Sequence, residues 1–295
     1  MEITKSGMVA VIGRPNAGKS TLVNRLMGEK VAIVSQKPQT TRRRLCAVLN
    51  AENIQMVLMD TPGFHKPRTK LGQYMVRVVR ESVEDVDACV LVVEPIPSVG
   101  DLERELLEQC KRLKAPVFLV INKIDTAPKE NLLPVIAAYG SELEFSAIIP
   151  LSAKKGDGTD ELLRLLLPLM PDGPALFPPD MSTDQPEKML ISEIVREKLL
   201  LLLNDEVPHG TAATVDVLKE RKNGLIDIEV TITCEKEGHK GIIIGKKGAM
   251  LKQIGTLARK ELEEMYDGPV NLQLWVRVRE NWRDTPVQLG NLGFE

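Results

Sequence analysis

The stretch GRPNAGKS, Gly13 to Ser20, decides the fold of this chain. It follows the apolar run MVAVIG and opens a helix-like segment, the setting in which G-x-x-x-x-G-K-S forms a phosphate cradle. Backbone N–H groups of such a loop wrap phosphate oxygens, the lysine reaches the outer phosphates and the serine hydroxyl is placed for Mg2+. Gly13, Arg14, Pro15, Asn16, Ala17, Gly18, Lys19, Ser20 and Thr21 are therefore candidate nucleotide contacts, with Ser20 a candidate metal ligand. The loop by itself does not choose between ATP and GTP.

Outward from that loop, short apolar runs alternate with amphipathic ones. IQMVLMD, ACVLVVE, PVFLVINK and SAIIPLSA have the continuous apolar character of strands buried on both faces. Gly100–Leu113 and Asp160–Leu167 have the character of covering helices. The alternation predicts a doubly wound, mostly parallel α/β sheet over residues 1–170, with ligands at the carboxyl ends of its strands.

The base is chosen at two of those ends. In NKID, Asn122 to Asp125, a carboxylate at Asp125 accepts from both guanine N1–H and the exocyclic amine, whereas adenine leaves it unpaired. Asn122 is placed to tether neighbouring loops, and the Lys123 stem to lie over the ring. In SAK, Ser152, Ala153 and Lys154, the Ala153 N–H is expected to face guanine O6. A third end carries DTPG: Asp60 is expected to hold Mg2+ through water, Thr61 and Pro62 to line the nucleotide, and the Gly63 N–H to approach the γ-phosphate. Between the first two motifs lies KPQTTRRR, Lys37 to Arg44, where a threonine completes the Mg2+ shell. Thr41 is favoured over Thr40. Arg42, Arg43 and Arg44 read as a solvated run, an RNA or partner contact, or a catalytic arginine in cis. The residue after Gly63 is Phe64, which can orient no water by hydrogen bonding. Either the nucleotide is not hydrolysed or the polar work comes from elsewhere, with Lys19, Thr41 and Gly63 the catalytic candidates in these loops.

Composition sets the outer limits. With 295 residues the chain suits two domains, and 43% hydrophobic with 27% charged residues is ordinary for a globular protein. A formal charge of −2 excludes a uniformly basic nucleic-acid coat, so such contacts need a local patch. Cys46, Cys89, Cys110 and Cys234 have no ligand spacing and read as reduced, buried thiols. The N-terminus lacks the pattern of a signal peptide, and no apolar run approaches the ~20 residues that span a bilayer. A cytoplasmic monomer is expected, with peripheral contact to the inner membrane left open.

Six prolines between Pro168 and Lys188 predict a linker over residues 171–188. The remainder, 189–295, reads as a smaller α+β domain of order α-β-β-α-α-β. Its marker is Gly245-Lys246-Lys247-Gly248, a GxxG between helical segments that lacks the phosphate loop's four-residue gap. The segment from Gly238 to Lys260 has no acidic residue and six cations, including Lys240, Lys246, Lys247 and Lys252, whereas residues 181–295 as a whole hold 16 basic and 19 acidic residues. Positive charge is thus focused on one element. Ile242, Ile243, Ile244, Met250 and Ile254 would form an aliphatic groove, with some of them core; aromatics are only 3% of the chain, and Trp275 reads as core.

These motifs carry a resemblance. GRPNAGKS, TTR and a hydrophobic residue after DxxG are similar to the translation-factor-related GTPases, in the subgroup that includes Era. The GxxG in its α-β-β-α-α-β order resembles a prokaryotic-type KH domain, whose GxxG clamps about four single-stranded nucleotides. Together with DQPEK, SEIVREKLL, EVPHG and the lysine-rich glycine segment, they resemble the Era GTPase family across nearly the whole chain. The resemblance implies an α/β P-loop GTPase domain followed by a KH domain. It also implies GTP and GDP as ligands, Mg2+, and the 3′ end of small-subunit rRNA as partner in small ribosomal subunit assembly. The resemblance implies further that Asn16 helps hold K+ against the phosphates, which adds Asn16 to the expected catalytic set. RNA contacts are then expected at Lys240, Ile242, Ile244, Gly245, Lys246, Lys247, Gly248, Met250 and Lys252. The competing reading is a nucleotide-gated RNA-binding module with negligible turnover.

Overall fold

The computed structural model describes residues 2–294 and divides them into two compact units, which meet in sequence at Asp184 and Gln185, with the short stretch Thr69–Leu71 grouped with the second. In the first, the elements run β1 (Lys5–Gly13), α1 (Lys19–Met27), β2 (Leu45–Ala51), β3 (Ile54–Asp60), α2 (Lys70–Glu81), β4 (Ala88–Val93), α3 (Asp101–Cys110), β5 (Val117–Ile121), α4 (Leu132–Gly140), β6 (Ala147–Pro150) and α5 (Thr159–Leu166). The sheet order is β2-β3-β1-β4-β5-β6, parallel except for β2, which runs antiparallel beside β3. Successive residues of β1 serve opposite layers. Val9 and Val11 pack with Leu22 and Val23 of α1 and Leu162 of α5, while Ala10 and Ile12 pack with Val79 of α2, Leu106 of α3 and Val135 of α4. Burial on both faces is why these strands are apolar throughout rather than alternating. Order reverses around β1 and β4, so the carboxyl ends of β1, β3, β4, β5 and β6 open onto one edge.

The second unit holds α6 (Glu187–Leu202), β7 (Ala212–Glu220), β8 (Ile226–Cys234), α7 (Glu237–Ile244), α8 (Ala249–Tyr266), β9 (Val270–Val278) and the short α9 (Pro286–Asn291). Its sheet is β7-β8-β9, with β7 antiparallel and β9 parallel to β8. Ile191, Val195 and Leu199 of α6 and Ile254, Ala258 and Leu262 of α8 cover Ile228, Val230 and Ile232 of the central strand. Lys198 ties the two helices by pairing with Glu197 and with Glu261. In the leucine run, Leu199, Leu200 and Leu203 are buried and Leu201 is exposed, as a helix face requires.

The proline-rich segment differs from the linker expected over 171–188. Residues 171–184 belong to the first unit as a strap along its edge. Ser6 N donates to Pro171 O at 3.0 Å, and Ser6 Oγ to Pro174 O at 2.6 Å. Gln55 Oε1 accepts from Leu176 N and Phe177 N at 2.7 and 2.9 Å. Val48 N of β2 donates to Ser182 O at 2.9 Å, and Cys46 and Asp184 close the strap with bonds of 2.9 and 3.1 Å. Proline lacks an N–H but keeps its carbonyl, so a proline-rich chain can cap donors on an open strand edge without extending the sheet. All four cysteines are buried and unbridged, and burial pushes the Cys46 thiol up to about 12. Among the described residues, no helix is long and apolar enough to cross a membrane.

Candidate nucleotide site and nucleic-acid interface

The phosphate loop leaves β1 and turns into α1, whose N-terminus points into the cleft. Gly18 has φ of 96°, and a Cβ there would fall 2.2 Å from Asn122 Nδ2, so no side chain fits. Lys19 is buried beneath the loop and donates to Gly13 O and Arg14 O at 3.1 and 2.9 Å. Burial lowers its pKa to about 8, partly opposed by the charge of Asp60.

Three oxygens meet beside it. Ser20 Oγ donates to Asp60 Oδ2 at 2.6 Å and lies 2.8 Å from Thr41 Oγ1, which itself reaches Asp60 Oδ2 at 3.3 Å. Thr40 donates instead to Lys37 O at 2.7 Å, so Thr41 is the threonine that lies with these oxygens. Asp60 is fully buried, which raises its pKa, and its Oδ1 has no hydrogen-bond partner among the described residues. An orphaned carboxylate oxygen beside two hydroxyls is an oxygen donor set that suits Mg2+, which completes its shell with water and phosphate.

The base loops are joined through Asn122. Its Nδ2 donates to Ala17 O at 2.8 Å, and its Oδ1 accepts from Lys123 N and Ala153 N at 2.8 and 3.0 Å. One side chain thereby links the phosphate loop, NKID and SAK. The Ala153 N–H, expected to face guanine O6, is engaged by Asn122, whereas the Lys154 N–H has no partner among the described residues. Ser152 Oγ donates to Asp125 Oδ1 at 2.7 Å; that bond holds the carboxyl below its ordinary pKa and orients it.

In the second unit, α7 ends at Gly245 (φ 73°), and Lys247 and Gly248 also take positive φ before α8 begins. The turn exposes Lys246 and Lys247, which make no ion pair among the described residues, as is true of Lys240 and Lys252. Arg259 and Lys260 pair along α8 with Glu263 and Glu264. Of the expected groove, Ile242 is exposed and Ile244 and Met250 are half-buried, while Ile243 and Ile254 belong to the core.

A family model described as a 50S ribosome-binding GTPase matches residues 8–123, and a KH domain model matches 206–283. GTPase Era of Ruminiclostridium cellulolyticum is 50% identical over 291 residues, covering 99% of this chain and 98% of that protein. The chain belongs to the Era GTPase family. GTPase Era of Clostridium kluyveri is likewise 50% identical over 291 residues, covering 99% of each chain. A crystal structure of Era with MgGDPNP and nucleotides 1506–1542 of 16S ribosomal RNA superposes with a TM-score of 0.94 at 40% identity, covering 99% of both chains. A variant of Aquifex aeolicus Era bound to GDP.AlF4− gives the same TM-score and identity over 98% of this chain and 99% of that one.

Set in an Era GTPase domain, several residues take roles other than those expected. Thr61 is buried and donates Oγ1 to Val11 O at 2.8 Å, which fixes the DTPG loop to β1. A Cβ at Gly63 would lie 2.5 Å from Pro15 Cα, so DTPG rides directly on the phosphate loop. Phe64 packs in the core beneath it, its N–H donating to Gly13 O at 3.0 Å. Arg42 is buried, which removes it from the solvated run; Arg44 is exposed. Arg14 pairs with Glu103 at 2.8 Å, and Asn16 donates Nδ2 to Gln36 O at 2.7 Å across the cleft. Trp275, expected in the core, is exposed on β9.

Two supporting residues had no sequence signal. Arg25 of α1 donates to Ala153 O and Lys154 O at 3.1 and 2.6 Å, clamping SAK to the helix that begins at the phosphate loop. Glu94, one residue past β4, pairs with Lys123 Nζ at 2.6 Å and holds the far end of the stem expected over the base.

Proposed function

We propose that the chain is a slow GTP-hydrolysing switch that holds the single-stranded 3′ end of 16S rRNA through its KH domain. It serves small ribosomal subunit assembly in the cytoplasm as a monomer. The observation that carries this reading is the meeting of Ser20, Thr41 and Asp60 oxygens beside buried Lys19, at the edge where Asn122 gathers the base loops. Ser20 and Thr41 would hold Mg2+, with Asp60 acting through water, and the ion would neutralise charge on the phosphate oxygens. Lys19, already beneath the loop, exchanges its two carbonyl partners for β and γ oxygens. Asp125 takes the two guanine donors, and the free Lys154 N–H is the available donor for O6.

Hydrolysis attaches a water oxygen to the γ-phosphorus and expels GDP. Phe64 faces the core and offers the water nothing, so positioning falls to backbone groups of the Thr41 and Gly63 loops. Asn16, whose Nδ2 is held by Gln36 O, would help hold a K+ ion that adds positive charge against the phosphates, which is the demand of phosphoryl transfer. The exposed lysines of the GxxG turn meet the RNA backbone, and Ile242, Ile244 and Met250 offer an aliphatic floor to bases.

GTP turnover measured with and without an RNA corresponding to nucleotides 1506–1542, in K+ and again in Na+, tests the reading. Slow turnover that is faster in K+ and altered by the RNA is expected. Equal rates in the two salts remove the role of K+. Bound GTP that is never hydrolysed supports the nucleotide-gated RNA-binding module instead.

A further inference from the structure

The chain has two tryptophans, and they are treated in opposite ways. Trp282 is fully buried, with Nε1 donating to Gly210 O at 3.0 Å. Trp275 is 57% exposed, and its indole N–H has no partner among the described residues. Leu272, Leu274 and Val276 take the core side of β9, so Trp275 stands on the opposite face, away from α8. Arg277 and Arg279 continue the same alternation, exposed and without an ion pair or side-chain hydrogen bond among the described residues.

We propose that this face of β9 is a second RNA contact, in which Trp275 stacks on an unpaired base and Arg277 and Arg279 pair with the flanking phosphates. It takes a segment of the same RNA lying outside the GxxG groove. The inference rests on the reading of the KH domain as an rRNA clamp.

Charge favours a nucleic acid over a protein helix or strand. Of the carboxylates on this side, Asp216 is engaged by Thr231, Asp227 by Arg221 and Asn271, and Glu235 by Arg283; Glu229, half-buried on β8 in register with Gln273, has no ion pair among the described residues. Two exposed arginines against that one half-buried carboxylate leave an excess of positive charge beside a planar apolar surface, the combination that binds single strands without sequence readout. Thr231 and Thr233, paired in register with Trp275 and Arg277, are short and leave the ring face open. Trp275 is also the one exposed aromatic among the described residues of the second unit, whose groove is aliphatic and supplies no stacking platform. Because β9 is an edge strand with α7 and α8 on its other side, an RNA held at the GxxG turn reaches Trp275 by passing one strand edge.

The test compares two RNAs on the full chain: an oligonucleotide of the unpaired 3′ end, and the longer fragment equivalent to 16S nucleotides 1506–1542. Trp275→Ala is expected to weaken the longer RNA roughly 10-fold and to leave the short one within about 2-fold, while Trp275→Phe restores most of the loss. Replacing Arg277 and Arg279 together by Ala lowers the salt-dependence slope for the longer RNA by about two. In the unaltered protein the longer RNA quenches tryptophan emission, and Trp275→Phe abolishes that quenching. This arm needs no destabilised variant. Equal affinity of Trp275→Ala and the parent for the longer RNA overturns the proposal and leaves the face to a protein partner. Equal losses on both RNAs would place Trp275 in the GxxG groove and overturn it as well. If the parent binds neither RNA, the rRNA reading falls and this inference with it; binding of the short RNA alone by every variant overturns only the second contact.

Discussion

Lys19 is buried with a pKa near 8, yet its task needs a full positive charge against phosphate. In the nucleotide-free protein, burial favours the neutral amine; the phosphates favour the ammonium. Above pH of about 8, binding must therefore take up a proton, and affinity for GTP should fall up to about tenfold per pH unit. Calorimetry at pH near 9 in buffers of different ionisation enthalpy reads that proton directly. Affinity that is flat from pH 7 to 9 would show that Lys19 is already charged when empty. Asp125 makes a second test at this scale. Asp125→Asn replaces an acceptor with a donor at one guanine amine and should cost GTP on the order of 100-fold or more in affinity while improving xanthine nucleotides. Competition binding with the two triphosphates measures both. These residues were legible because their chemistry is local: a lysine six residues after a glycine, an aspartate three after an asparagine. Trp275 was also legible and was misread. Gln273, Trp275 and Arg277 fall on the polar phase of a period-2 strand, and the phase outweighs the apolar character of the indole.

At the scale of elements, spacing within one segment shows well and contact between segments does not. The strand runs and the helices at 101–110, 159–166 and 187–202 follow from periodicity. The antiparallel β2 and the terminal α9 did not stand out, being short and held by neighbours rather than by their own pattern. Arg25 is the functional example. It lies on α1 and grips carbonyls 128 and 129 residues away, a relation that no local motif encodes. Through this bond the helix that starts at the phosphates also fixes the loop that meets the base. Arg25→Ala should therefore speed dissociation of GDP and GTP alike by roughly 10-fold, the scale of one or two lost charge-assisted hydrogen bonds. Turnover at saturating GTP should hardly change, because Ser20, Thr41 and Asp60 are untouched. Stopped-flow release of a fluorescent guanine nucleotide checks the first part, and single-turnover hydrolysis the second. A selective loss of hydrolysis would place the influence of Arg25 on the phosphates rather than on SAK.

For the whole molecule, the division at Asp184 and Gln185 falls inside the linker expected over 171–188, and the first unit runs fourteen residues past the expected 170, because proline is more than a residue that breaks helices and strands. Its carbonyls remain acceptors. Pro171, Pro174 and Pro179 accept from Ser6 N, Ser6 Oγ and Asn50 Nδ2, while Ser182 O takes the outward N–H of Val48 on β2. The strap thus satisfies the free edge of the GTPase sheet and screens it from pairing with another chain. A fragment of residues 1–184 should unfold cooperatively and bind GTP within about 3-fold of the full chain. A fragment of 1–170 loses the strap and its hydrogen bonds. Even a net loss of about 4 kcal/mol, a few bonds at ~1 kcal/mol each, lowers Tm by about 10 °C in a domain of this size. It should also aggregate on warming, as an uncovered strand edge does. Thermal unfolding of the two fragments, followed by circular dichroism and light scattering, decides the matter. Superimposable melts would mean that residues 171–184 are a passenger on the domain and that the functional boundary lies at 170.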